Sequence, residues 1–198
     1  MSLQKPTWIV EGLMTTVDAV GAVNLAPMGP RVDARWDQLL LRPFTTALTF
    51  ANLQATGRGV FHVVDDVHLL AQAAIGALRP MPALRPTGRG GSQVLVDCCR
   101  WYEVEVEAIY ASGPRAESMA RVVAAGRVRD FLGLNRAAFA VVEAAIQATR
   151  VHLLPRPEVE ADLLRWRTLV SKTGSAREQA ALDLLEAHLR QAWSEGRP

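Results

Sequence analysis

The sequence predicts a protein of the α+β class, mainly β over residues 1–133, with a helical subdomain of three helices over residues 134–198. Three observations point there. The first two thirds of the chain consist of short apolar and β-branched runs cut by Gly, Pro, Asp and Asn. Within them, Val104, Val106 and Ala108 alternate with Glu103, Glu105 and Glu107, the period of two of a strand with one wet face. From Asn135 the texture changes to helix formers with apolar residues at helical spacing.

Taken in order, Trp8 to Thr16 reads as the first strand, and Val17-Asp18-Ala19-Val20-Gly21 as a hairpin turn that returns Ala22 to Ala26 antiparallel. Leu39-Leu40-Leu41-Arg42 is a short buried strand stopped by Pro43, which lacks a ladder donor. Thr46 to Ala55 is expected to be helical, with Gly57 as its C-terminal cap, and Gly59 to Val64 forms the next strand. Asp65 or Asp66 is placed to cap a helix running through Leu78. Arg79 to Ser92, rich in Pro and Gly, is expected to be a mobile loop. Val94 to Tyr110 is a strand whose glutamates should meet water, and Ser118 to Arg129 is another, because Gly126 interrupts any helix. Ala137 to Val151, Glu158 to Val170 and Ala176 to Trp193 are the three helices, broken by Pro155 with Pro157 and by Lys172-Thr173-Gly174-Ser175.

With 198 residues the chain can bury a core without staples, and its two cysteines, Cys98 and Cys99, are adjacent in an apolar run. Neighbouring cysteines bridge only in a strained ring, so a pair of reduced thiols and a reducing compartment are expected. The start Met-Ser-Leu-Gln-Lys-Pro lacks the basic-then-apolar pattern of a signal peptide, and no apolar run approaches the roughly 18 residues of a membrane span. A cytoplasmic protein without a membrane partner is expected. The formal net charge is +2, with no block of like charge and no basic run interleaved with aromatics, so no nucleic-acid partner is expected.

Two segments carry the chemistry. In Val23-Asn24-Leu25-Ala26-Pro27-Met28-Gly29-Pro30, Asn24 offers donors and an acceptor, the prolines stiffen the backbone, and Gly29 permits close approach to a planar heterocycle. Arg42-Pro43-Phe44-Thr45-Thr46-Ala47-Leu48-Thr49-Phe50-Ala51-Asn52-Leu53 places hydroxyls, an Arg and an Asn at a loop entering a helix. Free amides and the helix dipole favour an anion at such a position. Thr45 or Thr46 would serve equally as a plain N-cap.

The order Asn-x-Ala-Pro, then Thr-x-x-Asn-Leu, then a Gly-x-Phe-x-Val strand resembles the flavin reductase and pyridoxamine-phosphate-oxidase-like split barrels. More narrowly, the chain resembles the domain of unknown function 447 family within that fold. The resemblance includes Glu11-Gly12, Thr15-Thr16, Asn24-x-Ala26-Pro27-Met28-Gly29-Pro30, Arg42-Pro43-Phe44 and Gly59-Val60-Phe61-His62-Val63. It runs on through Asp65-Asp66, Ala73-Ala74-Ile75-Gly76, Cys99-Arg100-Trp101-Tyr102-Glu103, Gly126-Arg127-x-Arg129-Asp130-Phe131 and Asn135-Arg136.

The resemblance implies an FMN-binding split β-barrel with a helical subdomain, a homodimer with FMN near its interface, and FMN as cofactor. Asn24, Ala26, Pro27 and Met28 would flank the flavin ring, with Gly29 beside them, and Thr49 and Asn52 would receive the phosphate. Arg42, Thr45 and Thr46 are added by the anion argument above. Flavin reductases often carry a basic residue just before the matching Thr, whereas Ala47-Leu48 stand here, so Arg42 is the candidate counter-charge. The implied function is a flavin-dependent oxidoreductase acting on a small molecule, with the family's tie to tetrahydromethanopterin-linked one-carbon metabolism implying a pterin-type substrate. The alternatives are a non-catalytic FMN-binding sensor or assembly protein, and a cofactor-free barrel that binds another phosphorylated molecule.

Other constellations carry less. His62 and His68 flank Asp65 and Asp66, but no third and fourth ligands complete a set, and no metal is expected. Arg127, Arg129 and Asp130 are either a structural network or an anion site, with Asn135 as cap of the following helix. Trp101 and Tyr102 are expected in the core. Nothing arranges Ser92, His152 or an aspartate as a nucleophile with its base, so no residue is assigned a catalytic role.

Overall fold

The computed structural model describes residues 7–88 and 90–196. Their contacts divide the chain into two compact units, one of residues up to Val64 with Pro82–Phe131, the other of Asp65–Met81 with residues from Leu132 onward.

In the first unit the strands, in chain order, are β1 (Trp8–Ile9), β2 (Gly12–Val17), β3 (Val23–Met28), β4 (Arg31–Val32) and β5 (Gln38–Leu41). Helix α1 (Leu48–Thr56) follows, then β6 (Arg58–Val63), β7 (Leu84–Pro86), β8 (Gln93–Leu95), β9 (Arg100–Tyr110) and β10 (Glu117–Arg127). Among the described residues, eight of these strands form one antiparallel sheet in the order β1-β4-β5-β10-β9-β6-β2-β3, leaving β1 and β3 at its edges. The β2–β3 hairpin closes as expected. Asp18 accepts from the Val20 and Ala22 amides through Oδ1, and Gly21 takes φ +91°. That turn fixes the register that sets Thr16 opposite Asn24 and Gly12 opposite Met28.

Alternation along the strands puts Met14, Met28, Leu39, Leu41, Phe61, Tyr102, Val104 and Ala120 in one core, closed by Leu53 of α1. Burying each of the Leu, Met, Val and Phe side chains among them contributes roughly 1.5–3 kcal/mol. Trp36, held at φ +60°, stacks on Tyr102 with ring centroids 4.2 Å apart.

Several expectations need correction. The first predicted strand breaks at Val10-Glu11, where the Val10 amide turns to the Pro30 carbonyl. Val94 to Tyr110 is also two strands. Its first part, β8, pairs with β7 in a hairpin built from the segment expected to be a mobile loop. This hairpin is anchored to the sheet. Thr15 donates its hydroxyl to the Gln93 carbonyl, Leu95 donates its amide to His62 Nε2 at 3.1 Å, and Thr87 donates its hydroxyl to Glu103 at 3.0 Å. Glu103 is therefore 1 % exposed rather than wet, while Glu105 and Glu107 pair with Arg121. A strand pattern shows only that alternate residues share a face; a second layer decides whether that face meets water.

In the second unit lie α2 (Val67–Ala74), α3 (Arg136–Ala148), α4 (Arg156–Thr173) and α5 (Ala176–Ser194). Helix α2 groups with α3–α5 rather than with the strands flanking it in the chain. Asp66 caps α2 by accepting from the His68 and Leu69 amides, as expected of one of the two aspartates, but the helix stops at Ala74 rather than Leu78. Asn135 caps α3, which ends at Ala148 with a single 3₁₀ turn after it at Val151–Leu153. Ser175 and Glu178 form a reciprocal capping box at the start of α5. No helix among the described residues is long and apolar enough to cross a membrane.

Candidate functional site

Strand β3 is an edge, so Pro27 costs the ladder nothing there. On this strand Asn24, Ala26 and Met28 share a face. Helix α1 packs against β2 and β3. Its first turn carries no acid, and its N-cap is Ala47, extended at φ −83° and ψ 146°, with no side-chain cap. Thr45 and Thr46 are thus not the N-cap that either was expected to provide. The Thr45 hydroxyl and amide are both turned to the Pro114 carbonyl, and Thr46 is exposed. The N-terminus of α1 keeps the positive end of its dipole uncompensated by side chains.

Three of the expected site residues come together around a fourth. Asn24 Nδ2 donates to Thr49 Oγ1 at 3.1 Å and to Thr16 Oγ1 at 3.4 Å, and Asn52 Nδ2 donates to Thr16 Oγ1 at 3.0 Å. Thr49 and Asn52 lie three residues apart on one face of α1, and both are buried, as is Thr16. Because each hydroxyl accepts an amide N–H, its own proton is left to donate elsewhere. The network also ties the N-terminal half of α1 to the β2–β3 hairpin, so the uncapped helix end is held at a fixed place beside the edge strand. Thr16 lies in the Thr15-Thr16 motif and is not among the residues the sequence assigns to the site. The signal for it was present: counting back from the Asp18 turn places Thr16 directly across from Asn24.

The other expected residues are distributed as follows. Ala26 and Pro27 are half-buried on β3, whereas the Met28 side chain joins the core. A Cβ on Gly29 would stand 2.7 and 2.8 Å from the two carboxylate oxygens of Glu11, so a side chain there would move that flexible carboxylate aside. Arg42 lies at the end of β5, its Nε 3.7 Å from a carboxylate oxygen of Glu117. The backbone around it is held by the β9–β10 turn. Arg115 donates to the Arg42 carbonyl at 3.0 Å and stacks over the Phe44 ring at 3.9 Å.

His62 serves the fold. Its Nε2 accepts from the Leu95 amide, so Nδ1 carries the proton and faces the Leu13 carbonyl at 3.3 Å. Burial holds its pKa down to about 4, against the pull of the Leu13 carbonyl in the other direction. Among the described residues no group of three or more His, Cys, Asp or Glu side chains is arranged to hold a metal ion. Cys98 and Cys99 are buried and not joined by a disulfide, and burial with the neighbouring Cys99 pushes the Cys98 thiol up to about 11, which leaves it protonated and inert. Arg129 joins Asp97 at 2.6 Å and the Cys99 sulfur at 3.3 Å, and Arg127 joins Asp130 at 2.8 Å. These contacts give Arg127, Arg129 and Asp130 places in ion-pair networks.

Comparison with known proteins agrees with this architecture. The family described as "Protein of unknown function (DUF447)" matches through its N-terminal domain over residues 10–129 and through a second domain over residues 135–187, and the chain belongs to it. An FMN-bound protein of the same family from Methanosarcina mazei superposes with a TM-score of 0.78 at 22% identity, covering 91% of this chain and 94% of that one. The styrene monooxygenase flavin reductase of Pseudomonas putida gives 0.51 at 17% identity, over 61% of this chain and 82% of its own. A flavoredoxin from Methanosarcina acetivorans gives 0.53 at 11% identity, over 67% and 81%. These likenesses establish the split-barrel fold. No curated protein matches the chain.

Proposed function

We propose that this member of the family is an FMN-binding flavoprotein that works as a flavin-dependent oxidoreductase on a small molecule, with the cofactor taken up between the edge strand β3 and the N-terminus of α1. The observation that carries the reading is the uncapped, acid-free start of α1, locked to β3 through Thr16, Asn24, Thr49 and Asn52. Such an end favours a phosphate by charge and by its backbone amides. Among solved structures of the same family, one is described as FMN-bound.

In this reading Asn24, Ala26, Pro27, Met28 and Gly29 line the ring, Met28 and Gly29 through backbone. Thr49 and Asn52, with the exposed Thr46 near the helix entrance, serve the phosphate, and Arg42 lends positive charge nearby; Thr45, expected to join them, has both its donors turned to the Pro114 carbonyl. Bound FMN would supply the electron transfer; the chain binds it, orients it and shields it from water. The open edge of β3, together with Leu48 at 69 % exposure, is where a second copy would close a homodimer around the cofactor. A cytoplasmic flavoprotein acting on a pterin-type or similar heterocycle fits this arrangement.

The test begins with the absorbance of the purified protein and titration with FMN and riboflavin. Replacing Thr49 and Asn52 together by Ala is expected to weaken FMN at least tenfold more than riboflavin, because only FMN carries the anion. Equal loss for both ligands would mean the phosphate is held elsewhere, and a protein that binds no flavin would refute the function. After anaerobic reduction by a nicotinamide donor, reoxidation of the flavin that depends on an added substrate marks an enzyme, and a flavin that never turns over under those conditions marks a sensor.

A further inference from the structure

Among the described residues, charged side chains that face each other across strands of the main sheet are of opposite sign at all places but one. Arg58 of β6 and Arg121 of β10 both stand opposite Glu105 of β9 and are paired with it at 3.3 and 3.4 Å. At the far end of β9 and β10 the register instead sets Arg127 directly opposite Arg100. Such side chains start about 4.5–5.5 Å apart, a spacing at which like charges destabilise the pair. No acid relieves Arg100. It is exposed, has Val63 on its other flank, and makes no ion pair or hydrogen bond among the described residues. Arg127 has only Asp130, at 2.8 Å, and with those side chains 63% and 82% exposed that pair is weak and readily exchanged. Arg100 precedes the core residue Tyr102 by two positions on the same strand, so both arginines lie on the core-side face of the sheet.

We propose that Arg100 and Arg127 form a binding site for a doubly charged oxyanion of the phosphate class, carried by a small molecule. Two neighbouring guanidinium forks match the oxygens of such a group, and its charge cancels the repulsion that the register imposes. The place of this site in the function rests on the reading that β3 takes FMN. Val63 lies one step beyond the His62–Leu13 pair, and Gly12, one step beyond Leu13, pairs with Met28. The arginines therefore share a sheet face and a sheet end with Met28, roughly 14 Å away over three strand spacings of about 4.8 Å. There they anchor the phosphate of a substrate whose other end reaches the ring.

The test uses the full-length protein with inorganic phosphate as the probe and sodium chloride at equal ionic strength as the control. Nitrogen-15 signals of the Arg100 and Arg127 guanidinium groups are expected to move together with phosphate and to saturate at one affinity, which separates this site from the start of α1. R100Q, followed at Arg127, and R127Q, followed at Arg100, should each weaken that binding at least about tenfold. R58Q, which removes an equal charge from the opposite face of the sheet, should leave it within about twofold. In chloride alone R100Q should melt no lower than wild type, because it relieves a repulsion. Signals that move equally in chloride, or a phosphate affinity that R100Q leaves unchanged, would overturn the site. R100Q melting below wild type would show that Arg100 serves the fold instead. A wild-type protein that takes phosphate here but binds no FMN keeps the site and loses its place beside a flavin. One that binds FMN without a response at the two arginines leaves the FMN reading standing and the site refuted.

Discussion

Lowering the pH from 7 to 4 should destabilise the barrel unit through His62. The folded protein keeps this imidazole neutral because its Nε2 must accept the Leu95 amide in a site that water does not reach; protonation would set two donors against each other and leave a buried charge. The folded pKa is about 4, against an ordinary 6.5. Between those values the unfolded chain takes up a proton that the folded chain refuses, so stability falls as pH drops from 6.5 towards 4 and levels off below. At about 1.4 kcal/mol per unit, the loss is roughly 3 kcal/mol, a sizeable part of the ~5–15 kcal/mol that a native domain commands. His62→Gln keeps an acceptor for Leu95 but cannot titrate. The stability difference between wild type and this variant, from urea unfolding at half-unit pH steps, should therefore shift by roughly 3 kcal/mol in the variant's favour between pH 7 and pH 4. Nitrogen-15 spectra of the imidazole give a direct check, since His62 should remain the neutral Nδ1–H tautomer at pH 5. A protonated ring at pH 6, or a stability difference that does not change with pH, would refute the argument from burial.

The β7–β8 hairpin gives a second test. Thr87→Val removes the donor to Glu103 and leaves a buried carboxylate oxygen unmet, which should cost about 1–3 kcal/mol and loosen the hairpin; hydrogen exchange of the Val96 amide, bonded to the Ala83 carbonyl, should speed up several-fold relative to wild type, and unchanged exchange would show that the hairpin is held by its other two tethers. Gly12→Ala should destabilise the barrel unit as well, because its new methyl would press on the His62 carbonyl and the Phe61 ring. A loss of roughly 1–3 kcal/mol from overpacking is expected, read as a lowered melting temperature.

How much of this was legible in the sequence depended on whether a feature was local. The Asp18–Gly21 hairpin, the Gly57 cap, the Asp66 and Asn135 caps and the β10 strand follow from residues within a turn or two of each other, and all appear. What failed needed a partner distant in the chain. Glu103 reads as wet until the β7–β8 hairpin covers it, and that hairpin reads as loose until Thr15 and His62, some 78 and 33 residues away from their partners in it, pin it down. Thr45 looks like a helix cap until the Pro114 carbonyl, 69 residues on, claims its hydroxyl.

The candidate site lies between these cases. Its halves were legible because each is a local motif, but the link between them, Thr16, became visible only through strand register. That link bears on the electrostatics. Thr49 and Asn52 are buried and already bonded to the hairpin, so their main service is to hold the end of α1 against β3; what they present to an anion is an oriented helix terminus together with the hydroxyl proton of Thr49. Arg42, facing Glu117 at 3.7 Å with both side chains more than a third exposed, adds a partly offset charge. Anion affinity at this site should therefore rest more on backbone amides and less on a single cation, which makes Thr16, through the geometry it enforces, as consequential as the arginine the sequence brought forward.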